Sequence, residues 1–145
     1  MLGRPDPDSV ARQWVSKAEN DLRAAEHILT IVEECPYDTA CFHAQPCVEK
    51  YIKAFLVSRS LPFPKSHNIE RLIALLPDEL KPVFDTINRH AMSEYATTMR
   101  YPGMYDPILL REAREAVKAA RRVRREIRRM LPASTKTKRR IPRKP

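Results

Sequence analysis

The sequence predicts an all-α protein, an up-and-down bundle of four long helices and one short helix. Apolar residues recur at steps of three and four along most of the chain, the spacing of one face of an α-helix. No segment alternates apolar and polar residues as a half-buried strand does. The 13 prolines fall mostly between the helical stretches or near the two ends. Since proline interrupts helices, these positions indicate where the elements end.

The first helix follows a short leader, residues 1–7, that contains two prolines. Asp8 or Ser9 can cap this helix by accepting hydrogen bonds from its first free amides. The apolar stripe then continues to about Glu34, and the helix should stop before Pro36 because the residue preceding a proline disfavours helical geometry.

The second helix is expected to be the most buried one. It starts near Tyr37 and runs to Arg59, and its apolar residues cover much of its circumference. Pro46 lies inside it, where a missing amide donor predicts a kink. Glu49, Lys50 and Lys53 form a charged strip, in which Glu49 and Lys53 have the spacing of an i,i+4 ion pair. The strip is either the solvent edge of the helix or, beside Gln45, a contact with a phosphate or a partner chain.

The remaining helices are delimited by caps and prolines. Ser66 can cap a short third helix over residues 67–76, and Asp78 a long fourth helix that frays before the loop "RYPGMYDP". Asp106 and Pro107 form a cap and first helical position, so the last helix should begin there and end at Pro132. The helical domain is thus predicted to span residues 8–131.

The net charge of +9 is concentrated at the C-terminal end. Residues 1–105 carry 12 Lys+Arg and 14 Asp+Glu, whereas residues 106–145 carry 15 and 4. Residues 132–145 should form a basic, disordered tail, since they are too polar to bury a core. The basic residues are either solvated or meet an acidic partner such as RNA. The candidate nucleic-acid contacts are Arg121, Arg122, Arg125, Arg128 and Arg129.

Several classes of protein are disfavoured by composition. With only two glycines, the chain has no glycine-rich phosphate loop or dinucleotide fingerprint.

Its three cysteines are odd in number and form no CxxC pair, which predicts reduced thiols in the cytoplasm. No apolar run is long enough to span a membrane. His43 and Cys47 have the spacing of two metal ligands, but no second pair completes a site, so no metal is expected.

Five residues are candidates for contact with a nucleotide or a phosphate: Lys50, Lys53, His67, Arg100 and Tyr101. His67 should open the third helix, where the helix dipole favours a neutral imidazole that can act as a base, or it simply caps the loop. Arg100 either holds a phosphate with its planar guanidinium or caps the end of the fourth helix. His67 and Arg100 are also the candidate catalytic residues.

Four segments of the chain share the order and register of one known family. The first helix contributes Trp14, Ala18, Asp21 and Leu22. The stretch "ACFHAQPCVEKYIKAFL" is the most specific one, and "FPKSHNIERLIALL" and "YATTMRYP" follow it. From Ala11 to about Leu131 the chain thus resembles the HEPN family of higher-eukaryote and prokaryote nucleotide-binding domains. The resemblance implies a bundle of four or five helices that pairs into a homodimer.

The resemblance also implies function. Members often work beside a minimal nucleotidyltransferase on a separate chain, in toxin–antitoxin pairs. Some are metal-independent ribonucleases, in which four to six residues separate an arginine from a following histidine. No arginine here precedes a histidine at that spacing. The chain is therefore predicted to be a non-catalytic, nucleotide-binding partner of a nucleotidyltransferase, without a cofactor; the alternatives are a ribonuclease toxin with a degenerate motif and a basic RNA-binding module.

Overall fold

The computed structural model describes residues 3, 5–97, 99 and 101–136. Within this range the regular elements are all helical, which confirms the predicted all-α class. The α-helices are α1 (Pro7–Ile28), α2 (Tyr37–Ser58), α3 (Ile69–Ile73), α4 (Lys81–Asp85), α5 (Arg89–Tyr95) and α6 (Leu110–Met130), and the 3-10 turn Ala133–Thr135 follows them. None of the described helices combines the length and apolar content needed to cross a bilayer.

The three long helices, α1, α2 and α6, form the frame of the bundle. α1 and α2 are antiparallel, so that Glu19 meets Tyr51 and Trp14 meets Lys53. α2 and α6 run in the same direction, which places Arg59 beside the carbonyl of Met130. The short helices α3, α4 and α5 return the chain to the start of α6, in the place that a fourth long helix was predicted to take.

α2 forms the centre of the core, as its apolar circumference predicts. It packs extensively on both α1 and α6, and it continues through Pro46 to Ser58. Tyr51, Phe55 and Ile52 are among the largest fully buried side chains of the protein, together with Phe84 of α4 and Leu22 of α1. Burial of such side chains stabilises a fold by roughly 1.5–3 kcal/mol each, so these contacts hold the helices together.

α1 ends at Ile28, six residues before the predicted end near Glu34. The chain reverses direction between α1 and α2, and Glu34 adopts a left-handed backbone with φ of 50°. Val32, the last position of the predicted apolar stripe, is almost fully exposed. The apolar stripe therefore predicted a helix that is too long, because the chain reversal before Pro36 needs several non-helical residues.

The predicted fourth helix is divided into α4 and α5. The division follows from polar side chains that bond the backbone locally, since such bonds compete with the helical ones. Thr86 donates to the carbonyl of Val83 at 3.4 Å, and the Asn88 side chain accepts from the amide of Ala91 at 3.0 Å, which caps α5. Arg89 then donates to the carbonyl of Phe84 across the break.

Further helix starts differ from prediction. α1 begins at Pro7 with Asp6 at its N-cap, so neither Asp8 nor Ser9 caps it. α4 begins at Lys81 with Leu80, rather than Asp78, at its N-cap.

The starts of α3 and α6 differ as well. Asn68, rather than Ser66, caps α3, so that His67 lies before the helix and not within it. α6 begins at Leu110, three residues after Pro107, and its N-cap Leu109 is extended and makes no side-chain cap hydrogen bond.

The folded region extends beyond residue 131, where the sequence placed its end. Thr135 in the 3-10 turn is fully buried, and Arg12 of α1 donates to the carbonyl of Ser134 at 2.8 Å. Ser134 also donates to the carboxylate of Asp8 at 3.2 Å. These contacts hold residues 132–135 against the start of α1; the rest of the predicted tail, from residue 137, lies outside the described residues.

Candidate functional site

Glu49 lies at the centre of a buried polar cluster on α2. The Nζ of Lys53 lies 2.7 Å from Glu49 Oε1, and the Nε2 of Gln45 donates to Oε2 at 3.0 Å. These partners lie one helical turn on either side of Glu49, a spacing at which helical side chains face each other. The predicted i,i+4 ion pair is therefore present. However, the side chain of Glu49 is only 7% exposed and that of Lys53 8%, so these two members of the strip do not lie on the solvent edge of the helix.

Aromatic side chains from other parts of the chain cover Lys53. Its ammonium lies 5.3 Å from the ring centroid of Trp14 on α1 and 5.9 Å from that of Phe63 in the loop before α3. Both distances are within the range at which a ring face attracts a cation. Lys53 is thus held between two rings and one carboxylate, and it contacts Glu49 rather than solvent.

His67 connects this cluster to the surface. Its Nδ1 lies 2.8 Å from Glu49 Oε1, while its side chain is 69% exposed. Burial alone would raise the pKa of Glu49, but hydrogen bonds from Lys53 and Gln45 outweigh it, and the pKa is lowered below its ordinary value. The carboxylate is therefore ionised and only accepts, so Nδ1 donates the proton. In the neutral imidazole, Nε2 is then an acceptor available to a ligand.

A second carboxylate–histidine pair joins α1 and α2, and it was not predicted from the sequence. Asp21 of α1 bonds the Nδ1 of His43 through Oδ1 at 3.0 Å and the Nζ of Lys50 through Oδ2 at 2.5 Å. All three side chains are partly buried. Lys50, a predicted phosphate contact, is thus paired with a carboxylate.

The same contacts separate His43 from Cys47, the pair with metal-ligand spacing. His43 faces Asp21, whereas Cys47 is fully buried in the core. Among the described residues, no group of three or more His, Cys, Asp or Glu side chains could hold a metal ion.

A third polar network joins all three long helices. Glu19 of α1 accepts hydrogen bonds from the Tyr51 hydroxyl and from Arg124 Nε, the latter at 2.5 Å, and Arg128 lies 3.5 Å away. Burial raises the pKa of Glu19. The hydrogen bonds from Tyr51 and Arg124 and the charge of Arg128 have the opposite and larger effect, so the pKa lies below its ordinary value. Burial also raises the pKa of Tyr51. The network therefore contains an ionised carboxylate and a neutral phenol.

The arginines of α6 that were predicted to contact nucleic acid differ in burial and in their partners. Arg128 points inward to Glu19, and Nε of the half-buried Arg122 has no hydrogen-bond partner among the described residues. The exposed guanidiniums pair with carboxylates of the same chain: Arg121 with Glu26 at 3.4 Å, Arg125 with Glu126 at 3.3 Å and Arg129 with Glu126 at 3.2 Å. Nucleic-acid binding by these residues stays a prediction.

Of the two remaining candidates, Tyr101 is exposed in the loop between α5 and α6, and Arg100 lies outside the described residues. Of the five predicted phosphate contacts, the structure therefore brings Lys53 and His67 together on Glu49 and assigns Lys50 to Asp21.

Comparisons with known proteins agree with this architecture. The family model of the HEPN domain matches residues 11–130. TT1696 from Thermus thermophilus is 26% identical to this chain, with a TM-score of 0.66 over 83% of this chain and 98% of its own. ST0689, an archaeal HEPN homologue, is 23% identical, with a TM-score of 0.61 over 84% and 98% of the two chains, and shows the same fold.

A search of curated protein sequences found no match. The family model nevertheless spans most of the sequence, and the six described helices form the bundle expected of it. The chain belongs to the HEPN family.

Proposed function

We propose that this chain is the small, homodimeric partner of a minimal nucleotidyltransferase in a toxin–antitoxin-like pair, and that it binds a nucleotide phosphate at the surface around His67. Family membership supports the partnership, since HEPN proteins often work beside such transferases. The missing arginine–histidine spacing supports a role in binding rather than in catalysis.

The observation that carries the proposal is the bond between His67 and Glu49. An exposed histidine ordinarily samples several rotamers, whereas this one is anchored at 2.8 Å to a carboxylate that Lys53 and Gln45 hold in place. When both ring nitrogens are protonated, the fixed imidazole can donate one directed hydrogen bond from Nε2 to a phosphate oxygen without losing further side-chain entropy. Lys53 contributes through Glu49, and His67 makes the contact with the ligand.

Titration calorimetry with ATP tests the nucleotide site. His67→Ala should weaken binding roughly tenfold, the factor that corresponds to about 1.4 kcal/mol for one hydrogen bond to a charged group. His90→Ala is the matched control, because His90 is also exposed and also pairs with a carboxylate, Glu94. Equal ATP affinity in the wild type and in His67→Ala would remove His67 from the site.

Co-purification tests the partnership. The chain is expressed with a tagged minimal nucleotidyltransferase encoded beside it, and the two should be retained together in a defined ratio. A transferase that never retains this chain contradicts the partnership, whatever the calorimetry with ATP shows.

A metal-independent ribonuclease is the second candidate, and the same bond favours it. With Nδ1 donating to Glu49, Nε2 can take the proton of a ribose 2′-hydroxyl. The oxygen then attacks phosphorus, the 5′-oxygen leaves and takes a proton from water, and a 2′,3′-cyclic phosphate forms. Arg100 is the candidate for holding the phosphate. RNA cleavage in EDTA should be lost in both His67→Ala and Arg100→Ala; an uncleaved RNA in the wild type rejects this candidate.

A further inference from the structure

We propose that His43 and Lys50, joined by Asp21, form a phosphate-binding site where α1 meets α2. This site is separate from the one around His67 and does not depend on it. Its ligand is a phosphate group, carried either as a phosphomonoester or within the backbone of a nucleic acid.

The two oxygens of one carboxylate hold the two candidate donors side by side. Asp21 Oδ1 lies 3.0 Å from Nδ1 of His43, and Oδ2 lies 2.5 Å from Nζ of Lys50. His43 and Lys50 are two helical turns apart on α2, so both project from the same face of the helix. A long side chain on a helix leans toward the N-terminus, which brings the ammonium back toward His43. The two groups are therefore placed to contact two oxygens of one anion.

Each donor keeps hydrogen-bonding capacity after its bond to Asp21. The ammonium of Lys50 carries three N–H groups, and among the described residues it donates only to Asp21. The side chain of His43 is 39% exposed, and its Nε2 has no partner in the described part of the chain. When both ring nitrogens are protonated, Nε2 donates to a phosphate oxygen, and an adjacent anion favours this charged form.

The charge around the three residues favours an anion. Asp21 is only 14% exposed and uses both oxygens on its partners, so the charge of Lys50 balances it. Lys17, one turn before Asp21 on α1, is exposed and forms no ion pair with another described residue. None of the residues one turn away from the three, on either helix, is acidic.

Phosphate fits these donors better than a carboxylate does. A phosphate ester presents up to three strong acceptor oxygens and carries about −1.5 to −2 charges at neutral pH. It can therefore accept from Lys50 and from His43 at the same time while its charge is partly neutralised by both. Hydrogen bonds between ionised groups of this kind are roughly twice as strong as those between neutral groups.

Nuclear magnetic resonance of the full chain, labelled at histidine, tests the site with inorganic phosphate as the probe at constant ionic strength. The ring signals of His43 should shift until they saturate, whereas those of His90 should not. His90 is the internal control, because it also pairs with a carboxylate, Glu94, but no lysine among the described residues shares that carboxylate. No shift of His43, or equal shifts of both histidines, overturns the proposal.

Two variants separate binding from a structural role. His43→Asn puts an amide nitrogen near the place of Nδ1, so that the bond to Asp21 is kept while Nε2 is lost. Lys50→Met removes the ammonium. Each should weaken phosphate binding roughly tenfold, as followed by the amide signals of α2, because one charge-assisted hydrogen bond is lost. His43→Asn should keep the unfolding temperature of the wild type.

Lys81→Met is the matched control for Lys50→Met, since Lys81 also pairs with a carboxylate, Asp78, at the start of α4. It should bind phosphate as the wild type does. Undiminished phosphate affinity in both His43→Asn and Lys50→Met contradicts the assignment of the two donors.

Adenosine 5′-monophosphate and the dinucleotide adenylyladenosine distinguish the source of the phosphate. The first carries a phosphomonoester and the second only a phosphodiester, so the one that shifts His43 at the lower concentration identifies the form that the site binds. His67→Ala should leave the response of His43 to inorganic phosphate unchanged. Loss of that response would mean a single shared site and would overturn this inference, whereas ATP calorimetry on His67→Ala tests the proposed function by itself.

Discussion

Glu49 and His67 share a hydrogen bond of 2.8 Å although one side chain is buried and the other lies at the surface. Lys53 holds the same carboxylate oxygen from inside the core, covered by Trp14 and Phe63. Glu49 therefore transmits the rigidity of α2 to an imidazole in a surface loop. A carboxylate in this position affects both the stability of the fold and the orientation of the proposed site.

Removing the charge of Glu49 should destabilise the fold. Glu49→Gln leaves the Lys53 ammonium buried without an ionised partner, and the free energy of unfolding should fall by about 3 kcal/mol. Urea denaturation followed by far-UV circular dichroism measures this. The double replacement Glu49→Leu with Lys53→Met removes both charges and should lie within about 1 kcal/mol of the wild type. A single variant as stable as the wild type would contradict the role of the ion pair.

Stability should decrease in acid. The pKa values of Glu49 and Glu19 are lowered in the folded state because hydrogen bonds and nearby cations outweigh the effect of burial. Below the ordinary glutamate pKa of about 4.3 the unfolded chain binds more protons, so this stabilisation is present above that pH and is lost as the pH falls through the folded-state pKa values.

The acid dependence can be assigned by substitution. In denaturation curves collected from neutral to acid pH, Glu49→Gln should show a shallower decrease than the wild type, because only Glu19 then contributes. Glu126→Gln is the control, since this carboxylate lies on the surface of α6 between Arg125 and Arg129. Parallel curves for the wild type and Glu49→Gln would mean that Glu49 is not the linked group.

The network around Glu19 should matter more for stability than the surface pairs of α6. Glu19→Ala leaves Arg124 and Arg128 without their shared carboxylate and should lower the unfolding free energy by roughly 3 kcal/mol. Tyr51→Phe removes two hydrogen bonds, one donated to Glu19 and one accepted from Arg128, and should cost about 1.5 kcal/mol. Glu126→Ala should change the stability by less than about 0.5 kcal/mol, as exposed ion pairs do. Chemical denaturation at neutral pH ranks the three, and a reversed order would contradict the assignment.

Thiol reactivity should distinguish Cys35 from the other two cysteines. Burial raises the pKa of the Cys41 thiol to about 12, and it also raises the pKa of the fully buried Cys47. Both thiols should stay protonated and unreactive in the folded protein, because the thiolate is the nucleophile. Cys35 is only partly buried. With a chromogenic disulfide reagent we expect one fast thiol, absent in Cys35→Ser, and two more after unfolding. More than one fast thiol in the folded wild type would disprove this.

The local pattern was sufficient to predict the helical class, the burial of α2 and the pairing of Glu49 with Lys53. It was insufficient for the environment of that pair, because Trp14 and Phe63 come from distant parts of the sequence. In the sequence, a charged pair on a solvated helix face has the same spacing as a charged pair that is buried beneath two aromatic rings. The side chains that decide between these cases become visible only when the helices are packed.

The contacts of α1 were missed for a related reason. Glu19 and Asp21 each bond a residue of α2 that is 32 or 22 positions away in sequence. A signal was present, since Glu19 directly follows Ala18, a member of the apolar stripe, and so lies close to the buried face. The break between α4 and α5 also had a signal in Asn88, which is a favoured capping residue, but the apolar stripe runs across it without interruption.

The 3-10 turn Ala133–Thr135 rests on the start of α1 through Arg12 and Asp8. The two extremities of the folded domain are therefore neighbours, and a short linker between them would span little distance. The loop around Val32 offers a place to open the chain, since its side chain contributes nothing to the core. A circularly permuted version that starts at α2 and ends with α1 should thus keep the same bundle, with the connection between α1 and α2 exchanged for one between α6 and α1.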